Sequence, residues 1–120
     1  MKETDKERYL RNLLVEDFGE EGQRRLREGR VVVVGAGGLG SAALNYLTAC
    51  GTGTIRIVED DTVSLCNLQR QVLYTTPELG ASKAEAAAAR LSRLNPGCRI
   101  ELSECRLTEE NAGELLDGFD

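Results

Sequence analysis

Ten residues constrain this chain more than any others: Val31-Val32-Val33-Val34-Gly35-Ala36-Gly37-Gly38-Leu39-Gly40. Four β-branched side chains in succession suit a buried strand covered on both faces. The glycines that follow let the backbone turn sharply and approach a ligand with no Cβ in the way. A helix is expected from Leu39, with Leu39, Ala43, Tyr46, Leu47 and Cys50 along one apolar side and Gly51 at its left-handed C-terminal cap. Strand, turn and helix make an anion site, because the unpaired N–H groups and the dipole at a helix N-terminus favour phosphate. Gly35, Gly37 and Gly40 fit G-x-G-x-x-G, which in a strand-to-helix context points to a nucleotide.

After Gly51-Thr52-Gly53, the run Thr54 to Glu59 reads as a second strand. That spacing makes a right-handed βαβ unit with the two strands parallel. Glu59 closes the strand about 20 residues past the glycine turn, where a carboxylate accepts hydrogen bonds from ribose hydroxyls, those of NAD and ATP equally. From Asp60 to Gln71 there is neither strand alternation nor a clean helical stripe. This polar stretch falls at the carboxyl end of the sheet, where open α/β folds bind ligands. Thr76-Pro77 and Gly80 mark a turn. Ser82 to Asn95 then reads as an alanine-rich helix with Ala84, Ala87, Ala88, Leu91 and Leu94 toward the core, ended by Pro96 and Gly97. Cys98, Ile100 and Leu102 alternate as a third strand. Thr108 is expected to cap a last short helix, with Glu109 and Glu110 in its first turn.

Upstream, residues 6 to 29 read as helical, with Tyr9, Leu10, Leu13 and Leu14 in one stripe and a break at Phe18-Gly19. The plain expectation is a packing arm laid against the sheet. The fold class is therefore α/β: the three-stranded N-terminal half of a Rossmann-like doubly wound parallel sheet, preceded by N-terminal helices. Residues 1–29 form the arm and 30–120 the half-domain. Asp117-Gly118-Phe119-Asp120 reads as a turn into a fourth strand, so the half-domain is expected to stop short of it.

Composition narrows the function. A net charge of −5, with Lys and Arg interspersed among acids, argues against nucleic-acid binding. No apolar run approaches the roughly 20 residues that span a bilayer, and the polar start lacks a signal-peptide core, so no membrane partner and a cytoplasmic location are expected. Cys50, Cys66, Cys98 and Cys105 form no C-x-x-C pair and the chain has no histidine, so no metal ligands are assigned among them.

The polar stretch carries Asn67 and Arg70, and Lys83 follows. Three phosphate-directed side chains near one glycine turn suit a triphosphate better than a pyrophosphate. Arg offers a planar fork of donors and Lys a mobile point charge. Lys83 also stands in the first turn of its helix, against the dipole's preference for acids there. A nicotinamide-binding oxidoreductase half would leave these three idle.

With these motifs the chain resembles the ThiF/MoeB/HesA family, bacterial relatives of the ubiquitin-activating enzymes. The resemblance runs through Arg8-Tyr9-Leu10-Arg11, Gly35 to Ser41, Asp61-Thr62-Val63, Asn67-Leu68-Gln69-Arg70-Gln71 and Gly80-Ala81-Ser82-Lys83. It implies an adenylyltransferase that uses ATP and magnesium to adenylate the C-terminal carboxylate of a ubiquitin-like sulfur-carrier protein ending in Gly-Gly. By position, Gly35, Gly37, Gly38, Gly40, Glu59, Asp61, Asn67, Arg70 and Lys83 would bind the nucleotide, with Gly38 against it and Glu59 on the ribose. Arg70, Lys83 and Arg11 would be catalytic, Arg11 being lent to the neighbouring subunit of a homodimer. The ribose position is usually aspartate in the family, and Glu59 is one methylene longer. The family's magnesium aspartate, zinc cysteines and any thioester cysteine lie beyond Asp120, so this stretch alone is expected to be inactive. A member that binds a partner without turnover is the remaining alternative.

Overall fold

The computed structural model describes residues 1–120. Strands β1 (Arg30–Val34), β2 (Thr54–Val58) and β3 (Arg99–Ser103) form a parallel sheet in the order β1-β2-β3. Val31 pairs with Ile55 and Ile55 with Ile100, while Val32, Arg56 and Glu101 share the next row. Helices α4 (Gly38–Ala49) and α5 (Lys83–Leu94) make the two crossovers. Both lie on one face of the sheet, as right-handed connections running the same way require. The core lies between that face and these helices. Leu44, Ile55, Ile57, Leu73 and Leu91 are fully enclosed in it, each contributing about 1.5–3 kcal/mol by leaving water. The alanines of α5 allow its close approach, with Ala84, Ala86 and Ala87 buried.

The opposite face is covered thinly. Helix α6 (Ala112–Leu116) and Phe119 sit there, tied down by Arg56, which donates to Leu115 O at 2.9 Å and lies over the Phe119 ring. Arg56 also pairs with Glu101 at 2.8 Å. The valine run is therefore less buried than expected: Val31 to Val33 are half-buried and Val34 is exposed. No further strand covers the outer side of β1, where only Asp120 docks, its N–H donating to Arg30 O at 2.9 Å and its carboxylate accepting from Arg30 N–H.

Helix α4 corrects a second expectation. Its buried residues are Ser41, Leu44 and Thr48, while Leu39 is 91% and Tyr46 78% exposed. Small side chains let the helix settle closely on the sheet, and of the expected stripe Leu39, Ala43 and Tyr46 face outward while Leu47 packs against the core. Gly51 follows α4 with a positive φ, as expected. Leu94, the last residue of α5, is also exposed. The last helix starts later than expected. Asn111 precedes α6, Thr108 exchanges hydrogen bonds with Asn111 in the turn before it, and Glu109 and Glu110 lie in that turn.

The arm consists of α1 (Glu3–Arg8), α2 (Leu10–Leu13) and α3 (Gly19–Glu28). It binds the ends of the crossover helices more than the sheet. Asn12 and Gln23 donate to Cys50 O at 3.2 and 2.9 Å, and Arg8 to Leu94 O at 3.1 Å. Asn95 links the two helix ends, donating to Tyr9 Oη and Thr48 O. Cys50 O and Leu94 O have no partner inside their helices, so the arm supplies the missing donors. Leu10 and Leu14 stay exposed, and the expected stripe is only half used.

Candidate functional site

At the carboxyl end of β1 the chain turns at Gly35, whose φ of +91° places it where L side chains are strained. Gly35 N–H still donates to Val58 O at 2.8 Å, so the turn begins within the sheet. Gly40 then passes so close that a Cβ there would stand 1.9 Å from Gly35 O. Only glycine fits that crossing. Gly40→Ala is expected to lose about 3 kcal/mol of stability, since the clash is with backbone and has no side chain to absorb it. A urea melt equal to that of the wild type would contradict this.

The turn delivers four backbone donors. The N–H groups of Gly37, Gly38, Leu39 and Gly40 have no acceptor in the protein, and no side chain caps α4. Unpaired N–H groups at the start of a twelve-residue helix form an anion site with the dipole aligned behind it. Ala36, by contrast, is fully buried and bonded on both sides. Its N–H donates to Glu59 Oε1 at 2.9 Å and its carbonyl accepts from Tyr74 Oη at 2.7 Å.

Glu59 follows β2 directly. The extra methylene lets Oε1 reach Ala36, while Oε2 accepts from the N–H groups of Asp60 at 3.0 Å and Asp61 at 3.4 Å. Each carboxylate oxygen keeps a further lone pair, enough to accept from a hydroxyl as well. Residues 61–63 then pair with the approach to α5. Val63 N–H donates to Ala81 O, Lys83 N–H to Asp61 O, and Thr62 bridges Ser82. Ser82 caps α5 by accepting from Glu85 N–H. This lattice fixes Lys83, which is only 4% exposed.

The Lys83 ammonium has one protein partner, Asp61 Oδ2 at 3.4 Å, which leaves donors free on a buried cation. Asp61 is itself exposed, and its carboxyl is held below the usual range, first by the Thr62 N–H and then by Lys83. Its small contribution is present above the ordinary carboxylate range and is lost as pH falls through the lowered value.

Asn67 opens the turn that carries the remaining groups, accepting on its carbonyl from Arg70 and Gln71 N–H. Arg70 is exposed and bonded only to Cys66 O, at 3.3 Å. Its Cδ and Nε lie 3.9 Å from where a Cβ on Gly38 would stand, so the guanidinium arm roofs the open space above Gly38. Gln71 is 5% exposed, with its Oε1 unpaired and its Nε2 3.5 Å from a would-be Cβ on Gly37. The structure thus gathers Gly35, Gly37, Gly38, Gly40, Glu59, Asp61, Asn67, Arg70 and Lys83 at the carboxyl edge. Arg11 stays apart. It is exposed on α2, beside the C-terminal end of α4. That helix, about 18 Å long, separates it from the glycine turn. Sequence reasoning gave Gln71 and Tyr74 no role. For Tyr74 the usable signal was a tyrosine inside an apolar stretch, since a buried phenol needs a partner for its O–H.

The residues present do not complete a metal cage, for no group of three or more Cys, Asp or Glu side chains could hold an ion. An open lateral cleft of about 490 Å3, lined by Lys2, Asp5, Tyr9, Arg24 and Arg27, lies under the arm at the other end of the molecule. It contains none of the groups gathered at the carboxyl edge.

The ThiF family profile matches residues 9–120. The chain belongs to the ThiF family. The sulfur carrier protein adenylyltransferase of Thermus thermophilus is 51% identical over 95% of the chain and 42% of its own length. The SAMP-activating enzyme E1 of Haloferax volcanii is 46% identical over 98% of the chain and 43% of its own length. The chain thus spans less than half of these relatives. Among solved structures, the tRNA N6-threonylcarbamoyladenosine dehydratase TcdA of E. coli in complex with ATP superposes with a TM-score of 0.90. It is 27% identical, over 98% of this chain and 47% of that one. The family assignment accounts for the α/β fold.

Proposed function

We propose that this chain is the ATP-binding part of an adenylyltransferase acting on the C-terminal carboxylate of a ubiquitin-like sulfur-carrier protein that ends in Gly-Gly. One observation carries the reading. The N–H groups of residues 37–40 have no partner in the protein, and beside Gly38 the only neighbour within 4 Å of a Cβ would be the Arg70 side chain. The T. thermophilus relative, a sulfur carrier protein adenylyltransferase, supplies the reaction class. The ATP complex of TcdA supports the nucleotide.

The attacking carboxylate is already ionised at neutral pH, so no general base is required. One of its oxygens bonds to the α-phosphorus as the bond from that phosphorus to the bridging oxygen breaks. Pyrophosphate departs and an acyl-adenylate remains. The barrier is the approach of an anion to a polyanion. Arg70 and Lys83 offset that repulsion and stabilise the leaving pyrophosphate, while Glu59 receives the ribose and Asn67 and Asp61 complete the binding set. Magnesium would accompany the nucleotide and neutralise part of its charge.

A homodimer belongs to the same reading. Leu39 and Tyr46 on α4 and Leu14 and Val15 on the arm are exposed apolar side chains, and Arg11 is exposed on the same arm. A second copy seated there would carry Arg11 to the partner's nucleotide. Four free thiols suit a reducing cytoplasm, and no helix is long and apolar enough to cross a membrane.

Calorimetric titration with ATP and with NAD tests the nucleotide. ATP is expected to bind more tightly, because NAD leaves Lys83 and Arg70 without a γ-phosphate to meet. A clear preference for NAD would overturn the proposal.

A further inference from the structure

Two consecutive peptide planes of the glycine turn are pinned from outside it. The Gly35–Ala36 plane is held at Ala36 N–H by Glu59 Oε1, and its carbonyl is overlain by Gly40. The Ala36–Gly37 plane is held by Tyr74, whose hydroxyl donates to Ala36 O at 2.7 Å in a buried bond. A trans peptide carries its C=O and N–H in opposite directions. Drawing the Ala36 carbonyl toward Tyr74 therefore turns the Gly37 N–H away from the core, to the side of the unpaired donors of Gly38 and Leu39.

We infer that Tyr74 is a positioning residue for the nucleotide's phosphates, acting through the Ala36–Gly37 peptide to aim the Gly37 N–H at the anion. The inference rests on the nucleotide reading given above. Tyr74 is 4% exposed and packs in the core with Ala36 and Leu73. Burial, with Glu59 and Glu78 nearby, raises the phenol, so it remains a donor at any working pH. The ring alone explains the packing, and a phenylalanine would fill the same space. What the hydroxyl adds is the orientation of one peptide. Gln71 supports the arrangement from the same turn, since Tyr74 N–H donates to Gln71 O and the Gln71 amide backs Gly37. Both peptide planes are thus tied to neighbouring side chains before any ligand arrives.

Tyr74→Phe in the full chain, titrated with ATP and with adenosine, tests this. ATP affinity is expected to fall about tenfold, the worth of one buried hydrogen bond. Adenosine affinity should stay within about twofold, because the lost orientation concerns phosphate alone. A purely structural role for the hydroxyl would weaken both ligands alike, and that result overturns the inference. Equal ATP affinity in variant and wild type overturns it too, while leaving the nucleotide reading intact. A wild-type chain that prefers NAD to ATP removes both. Amide NMR of the wild type gives a check that does not depend on the variant's folding. The Gly37 resonance should move with those of Gly38 and Leu39 as ATP is added, and a stationary Gly37 amide refutes the inference.

Discussion

Arg70→Ala is expected to leave the fold intact and slow adenylation on the order of a hundredfold or more. The two halves of that expectation have separate physical grounds. Arg70 is exposed and makes one hydrogen bond, to Cys66 O at 3.3 Å, so removing it opens no cavity and strands no buried partner. Surface changes of that kind usually alter stability by no more than about 0.5 kcal/mol. A guanidinium poised over the glycine turn meets charge that grows as pyrophosphate leaves. Losing such a contact costs roughly 2–4 kcal/mol of transition-state stabilisation. Arg70→Lys keeps the charge but not the planar fork, and should fall between the two. The measurements are a urea melt and ATP–pyrophosphate exchange in the complete enzyme with its carrier protein. Wild-type exchange in Arg70→Ala would return this side chain to an ordinary solvated surface role.

The parts of the fold legible in sequence were those written in adjacent residues. A valine run, three spaced glycines and a second strand ending in Glu59 define a βαβ unit locally, and the structure has it with Val31 opposite Ile55. The Asn67-to-Gln71 segment stood out as a candidate because it is polar and without periodicity, and the structure puts Arg70 and Gln71 beside the glycine turn. What failed was the choice of face on α4. Periodicity finds the apolar stripe, but Leu39 and Tyr46 point to solvent while Ser41 and Thr48 are buried. Either side of the buried Leu44 the inner face takes small polar side chains, and those carry no hydrophobic signal. Tyr74 was missed for a related reason. Its partner, Ala36 O, is 38 residues away, and nothing local marks a carbonyl that needs a donor. The position of Arg11 follows from the arm's hydrogen bonds to the helix ends, which no pattern within the arm specifies.

The outer side of β1 sets the second large effect: the 120-residue chain is expected to self-associate and to give no pyrophosphate exchange, even with a carrier protein present. In a parallel ladder, alternate residues direct both N–H and C=O to the same side. Arg30 faces outward, where Asp120 occupies both of its groups. By the same alternation Val32 and Val34 face outward, and no strand pairs with them there. A half-buried row of valines beside unpaired backbone groups is a template for another chain. Asp120 already lies at the first position that a parallel strand on this side would occupy. Appending the segment that follows the matched stretch in the T. thermophilus relative should fill the edge and weaken the association. Val34→Lys should weaken it as well, by placing a charge on the exposed end of β1, but without restoring exchange. Exchange is expected to need magnesium ligands beyond the gathered residues, which include no cluster of three that could hold an ion. Sedimentation and exchange on the original, extended and Val34→Lys chains separate the two effects. A monomeric 120-residue chain with full exchange activity would mean that β1 tolerates a bare edge and that the gathered residues suffice for the reaction.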